Sequence, residues 1–187
     1  MKVFGIDPGS ERTGYGCVET DGSRHRLVVC GAIATSPRAT FPDKLLAIHD
    51  RLAALLAKWR PDSVAVENIF YATNARTALR LGHARGVAIL AAAEAGVPVA
   101  EYTPAEIKRA VVGYGRAEKQ QVQEMVRLLL DLRTVPSPND AADALAVAIC
   151  HAHSLRPAAA APDDARRQGA RAKPRSWRQF RPDRDSG

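Results

Sequence analysis

The sequence predicts an α/β fold built on a mixed five-stranded sheet with helices on both faces. Three observations carry this expectation. The chain begins with three apolar runs joined by short turns, the pattern of antiparallel neighbours. It then alternates strand-like and helix-period segments, which places helices against the sheet. Finally, 187 residues are enough for one sizeable core.

The first strand, Lys2-Val3-Phe4-Gly5-Ile6-Asp7, ends in a carboxylate. The turn Pro8-Gly9-Ser10 follows, and a second apolar run starts near Thr13-Gly14-Tyr15-Gly16-Cys17-Val18. A third strand covers residues 26–34. From Phe41 to about Arg60, Leu45, Ile48, Leu52, Leu55, Leu56 and Trp59 recur at helical spacing, with Pro42 in the first turn and Pro61 just beyond the end. Ser63-Val64-Ala65-Val66-Glu67 reads as a short buried strand that again ends in an acid. A loop bearing Phe70 and Tyr71 leads to a long helix over residues 75–95, closed by Gly96.

A further strand is expected over residues 97–101, with Pro98 marking an edge or a strand start. Thr103, Pro104 and Glu106 form a capping-box pattern for a helix reaching about Val112. After the loop Gly113-Tyr114-Gly115-Arg116, another helix is expected over residues 117–130. Pro136-Ser137-Pro138-Asn139 is a stiff turn, and Asp140 to about His153 forms the last helix. His151 and His153 at its end read as partners of the helix dipole. Residues 1–154 thus make one domain. Residues 155–187 are rich in Ala, Pro, Arg and Asp, carry few large apolar groups, and are expected to be a disordered basic tail.

Composition sets the outer limits. With 46% hydrophobic and 25% charged residues the chain reads as an ordinary soluble globular protein. No apolar run is long enough for a transmembrane helix, and the chain starts on a strand rather than a signal peptide, so a cytoplasmic location is expected. The three cysteines fit neither a zinc pattern nor a disulfide framework and read as reduced thiols. The net charge is +7, but nine Lys and Arg and only four Asp lie from Leu155 onward. The basic balance is therefore largely a property of the tail, and global charge says little about nucleic-acid binding by the folded part.

The candidate chemistry is a set of carboxylates. Asp7 and Glu67 end two strands, and Asp140 and Asp143 sit three apart on one face of the last helix. Taken alone, Asp7 is equally a turn residue and Asp140 equally a helix-start residue. Together the four suit hard divalent cations such as Mg²⁺, which take oxygen ligands and phosphates. Two such ions can activate water and stabilise the leaving oxygen of a phosphodiester. No serine lies in a nucleophile elbow, and no phosphate-loop signature is present.

At these residues the chain resembles the RuvC Holliday-junction resolvases. The resemblance rests on Asp7-Pro8-Gly9-Ser10 with Thr13-Gly14-Tyr15-Gly16, on Val66-Glu67-Asn68-Ile69-Phe70, and on Asn74-Ala75-Arg76-Thr77-Ala78-Leu79 leading to Leu81-Gly82-His83-Ala84-Arg85-Gly86. It continues through Val112-Gly113-Tyr114-Gly115-Arg116-Ala117-Glu118-Lys119 and Asn139-Asp140-Ala141-Ala142-Asp143-Ala144-Leu145-Ala146, in order, from Met1 to about His153. It implies an RNase H-like fold, a homodimer, and Mg²⁺-dependent cleavage of four-way DNA junctions by paired symmetric nicks in recombination and repair. Two ions per site are implied, with Mn²⁺ as a substitute and a RuvA–RuvB branch-migration complex as a further partner.

Carried over by position, the resemblance makes Asp7, Glu67, Asp140 and Asp143 the catalytic metal ligands. It makes Phe70 the junction-facing aromatic, and Lys108 and Lys119 the basic groups that meet DNA. Arg76 and Arg116 lie on or beside the same basic stretches and are further candidates for DNA contact; as charged residues they equally suit a solvated surface. Gly82 and Gly86, four apart on the long helix, suit either a dimer interface or close packing on the chain's own sheet. The acids alone leave open a related nuclease acting on RNA or on another branched DNA. A junction binder without catalysis is disfavoured, because four acids would repel phosphates unless metals neutralise them. An actin-like ATPase would need a second domain that 187 residues do not accommodate.

Overall fold

β1 (Lys2–Asp7) alternates between two hydrophobic cores, and this alternation organises the molecule. Phe4 and Ile6 are fully buried in one core, and Val3 in the other. A strand sends successive side chains to opposite faces, so Val3, Gly5 and Asp7 share a face. The computed structural model describes residues 1–68 and 74–155. Residues Met1–Arg156 form one compact unit.

The other strands are β2 (Arg12–Thr20), β3 (His25–Ala34), β4 (Ser63–Glu67) and β5 (Val99–Tyr102). The sheet order is β3-β2-β1-β4-β5. The first three strands pair antiparallel, and β4 and β5 add in parallel. The mixed five-stranded sheet expected from sequence is therefore present. β5 begins at Val99 rather than at residue 97, although the Pro98 carbonyl already accepts from Val64 of β4 at 2.9 Å.

Five helices complete the fold: α1 (Phe41–Trp59), α2 (Ala75–Glu94), α3 (Pro104–Val112), α4 (Lys119–Leu129) and α5 (Asn139–Ser154). Ile48, Leu52, Leu55 and Leu56 of α1 and Ala88, Ala91 and Ala92 of α2 pack on Phe4, Ile6, Val64 and Val66. Residues of α3, α4 and α5 pack on Val3, Val18 and Ala65 across the sheet. Each fully buried large side chain contributes about 1.5–3 kcal/mol of transfer free energy. The capping box of α3 forms as read, with Glu106 accepting from the Thr103 backbone at 2.8 Å. α4 starts two residues later than expected, at Lys119, because Glu118 serves as its cap and pairs with Gln121.

α5 lies deepest. Ala141, Ala142, Ala144, Leu145, Ala148 and Ile149 are fully buried. It approaches the sheet over glycines: a Cβ on Gly5 would lie 2.0 Å from the Ala144 carbonyl oxygen, and one on Gly14 2.0 Å from that of Asp140. Gly16, paired with Gly5 across the β1–β2 ladder, makes room for Leu145. Alanines above and glycines below let a helix rest almost directly on the backbone.

His151 corrects one expectation. It is buried, and burial pulls its pKa below the usual imidazole value, so it is neutral rather than a charged partner of the helix dipole. Its Nδ1 instead meets the Tyr102 hydroxyl at 2.7 Å, tying α5 to the edge strand β5. Burial pushes the Cys17 thiol up to about 11 and that of Cys150 to about 12, which keeps both protonated and unreactive.

Candidate active site

Strand parity delivers two acids to the α5 face. Asp7 follows Val3 and Gly5 on β1, and Glu67 follows Ser63 and Ala65 on β4. β1 and β4 run parallel in register, with Ile6 beside Val66, so both strands end at the same level. Asp140 and Asp143, one turn apart near the start of α5, face these strand ends across the glycine contacts. All four acids are half-buried.

A cleft of about 320 Å³ opens here, lined by Asp7, Glu67, Asp143, Lys108 and Lys119 among others. Asp140 stands outside its lining. The acids crowd one another. Burial raises Asp7 most, and the charge of Glu67, a hydrogen bond between the two carboxyls, and the charges of Asp143 and Asp140 push it further, to about 8. Glu67 is also raised, chiefly by burial and by Asp143, while its bond to Asp7 and the charges of Lys119 and Lys108 pull the other way. Burial and crowding thus disfavour full ionisation of the Asp7–Glu67 pair, a penalty that a cation would relieve.

Two side-chain cations answer part of that charge. Lys119 donates to Asp143 at 2.6 Å, and Arg12 stands 3.5 Å from Asp140. Burial lowers the Lys119 pKa, but the hydrogen bond and charge of Asp143 outweigh it and the net shift is upward. Among the described residues, no three His, Cys, Asp or Glu side chains stand as a ready ligand set. The donor chemistry is nevertheless that of a hard-cation site: oxygen ligands alone, all of them carboxylates.

Of the residues singled out in the sequence, Asp7, Glu67, Asp143, Lys108 and Lys119 come together in this cleft. Arg116 is exposed in the α3–α4 loop, and Arg76 is exposed in the first turn of α2; neither lines the cleft. Phe70 lies outside the described residues. Gly82 and Gly86 are exposed, and a Cβ on either would meet open space. Of the two readings of these glycines, close packing on the chain's own sheet is ruled out. Arg12 was not singled out from sequence. The available signal is its parity, two residues before Gly14 on the strand face that meets α5.

The fold has close counterparts. The family model described as crossover junction endodeoxyribonuclease RuvC matches residues 3–151. This chain belongs to the RuvC family. RuvC of Syntrophomonas wolfei is 53% identical over 156 residues, spanning 83% of this chain and 91% of that protein. RuvC of Pelotomaculum thermopropionicum is 54% identical over 153 residues, spanning 82% and 93%. The Thermus thermophilus RuvC structure in complex with a Holliday junction substrate superposes with a TM-score of 0.80 at 41% identity, covering 83% of this chain and 95% of that one. The fold is accordingly the RNase H-like nuclease fold of RuvC. The yeast mitochondrial Holliday junction resolvase Ydc2, at 14% identity and a TM-score of 0.58, shares the fold. In RuvC terms the match ends at the last turn of α5, so residues 155–187 lie beyond it.

Proposed function

We propose that this chain is a divalent-metal-dependent endonuclease that resolves four-way DNA junctions by paired symmetric nicks, in recombination and repair. The observation that carries the reading is the cleft in which Asp7, Glu67 and Asp143 crowd against Lys108 and Lys119 in a RuvC-family chain. Burial and the neighbouring acids together raise the pKa of Asp7, and such crowding favours uptake of a divalent cation. Asp7, Glu67, Asp140 and Asp143 would hold Mg²⁺, or Mn²⁺ in its place. Bound there, a pair of ions supplies an activated water and neutralises the leaving oxygen.

The chain's own residues do the rest. Asp7 would release to solvent the proton it shares with Glu67 on taking up a metal. Asp143 leaves Lys119, which then offers its ammonium to a DNA phosphate. Lys108, Arg76 and Arg116 add phosphate contacts that position the duplex arms without reading sequence. Phe70, three residues beyond Glu67, stacks on a base opened at the crossover, worth about 1–3 kcal/mol.

Symmetric nicking requires two equivalent sites. The outer face of α2 suits a second copy: Leu79 and Leu90 are 64% and 51% exposed, with Gly82 and Gly86 between them on the same side. A C2 dimer through this face would hold two clefts in fixed relation, as a four-way junction demands. The same reading places the chain in the cytoplasm beside a RuvA–RuvB branch-migration complex. Among the described residues no helix is long and apolar enough to cross a membrane.

The test is incubation with a synthetic four-way junction, with and without Mg²⁺. Paired, religatable nicks at symmetric positions that need the cation are expected. Cleavage that persists in chelator, or that favours an RNA–DNA duplex over the junction, overturns the reading.

A further inference from the structure

Arg12 opens β2 on the face that meets α5, and its guanidinium Nη1 stands 3.5 Å from Asp140 Oδ2. Its side chain is 52% exposed and that of Asp140 30%, so the pair faces solvent at the side of the cleft. The turn that presents it is fastened on three sides. Lys44, only 8% exposed, donates to both oxygens of Glu11 at 2.8 and 2.6 Å. The Thr35 hydroxyl donates to the Ser10 and Glu11 carbonyls at 3.0 and 3.2 Å. The Thr13 hydroxyl donates to the Gly9 carbonyl at 2.7 Å. Burying a lysine is costly, and here its charge is committed to holding the residue next to Arg12.

We propose that Arg12 is an exchangeable counter-ion. It holds Asp140 while no metal is bound, and it turns to a backbone phosphate of the DNA once a divalent cation takes Asp140. This rests on the metal-dependent nuclease reading above and adds a residue to it. One guanidinium cannot serve both anions at full strength, and a carboxylate that ligates a cation offers it little charge. The planar fork of Arg suits phosphate as well as carboxylate, and its exposure leaves it room to swing. The exchange couples the two ligands: metal frees Arg12 for DNA, and DNA draws Arg12 off Asp140 for metal. Arg12 is thus a positioning residue for Asp140 before it is a contact for substrate.

Two variants, Arg12→Gln and Arg12→Lys, separate this from a bracing role. Mn²⁺ uptake is followed without DNA by the loss of the free-ion paramagnetic signal. Junction binding is followed with Ca²⁺ over a series of salt concentrations. Arg12→Gln is expected to take up Mn²⁺ about two- to fivefold more tightly, the gain from removing a partly exposed ion pair. Its junction affinity should lose about one unit of salt slope in Ca²⁺, and Arg12→Lys should restore the slope. Mn²⁺ affinity that is unchanged or weaker in Arg12→Gln overturns the proposal, as does an unchanged slope. Wild-type protein that takes up no Mn²⁺ refutes the nuclease reading itself and the exchange with it.

Discussion

Lys119 Nζ donates to Asp143 Oδ2 at 2.6 Å, so the second acid of α5 is held by the first residue of α4. The pair joins the basic and acidic halves of the cleft through one contact. Its Lys end is 59% exposed, and such pairs contribute up to about 1 kcal/mol. Lys119→Met should therefore leave the melting temperature within about 3 °C of wild type. Junction affinity should fall, with a salt slope smaller by about one. Filter binding at several salt concentrations checks this; an unchanged slope would show that Lys119 serves Asp143 alone.

Asp7 sets a pH dependence. Its ordinary value is 3.8, and in the folded chain burial and the charge of Glu67 push it up to about 8. Between these values the folded state keeps a proton that the unfolded state has lost. Its contribution to stability is thus fully present below about pH 4 and is lost as pH rises through about 8. Without metal, the wild-type melting temperature should fall from pH 6 to pH 9 more steeply than that of Asp7→Asn. A divalent cation at about a hundred times its Kd should add about 2.7 kcal/mol, or roughly 5–10 °C. That increment should be larger at pH 9 than at pH 6 and absent in Asp7→Asn, which should also lose cleavage while still binding junctions.

Gly14 is the point where the sheet meets the start of α5. Gly14→Ala would set a methyl 2.0 Å from the Asp140 carbonyl oxygen, backbone that cannot yield without moving the helix. A loss of about 1–3 kcal/mol is expected by thermal melting, with cleavage reduced further because Asp140 moves with α5. Gly86→Ala is the contrasting case. Open space surrounds it within one chain, and helix propensity favours Ala by about 1 kcal/mol. It should leave the monomer intact and weaken self-association measured by sedimentation; undiminished association would remove the α2 face from the proposed dimer.

Residues Met1–Arg156 form one compact unit that holds both cores. A chain ending at Arg156 should unfold cooperatively, within about 1 kcal/mol of the full-length protein, as read by circular dichroism.

Much of this was legible in the sequence because it depends on period and punctuation. The helical spacing of Ile48, Leu52 and Leu55, and the Thr103–Glu106 box, name their elements without tertiary help. The four acids were legible as strand and helix ends. Their partners were not. Whether Asp143 turns to Lys119, and Asp140 to Arg12, depends on contacts between segments 24 and 128 residues apart in the chain. The raised pKa of Asp7 depends on its depth and on Glu67, which only folding brings near. His151 misled for the same reason: its charge was taken from its place on the helix, and burial removed it.

The alternation along β1 has a consequence for how such a chain can change over generations. Phe4 and Ile6 belong to one core, while Val3, Gly5 and Asp7 face α5. Losing or gaining one residue between Val3 and Asp7 would turn the carboxylate into an apolar interior and an isoleucine or phenylalanine against a helix backbone. The segment cannot change in length by a single codon without this inversion. A surviving insertion there should come in pairs or be cancelled by a bulge.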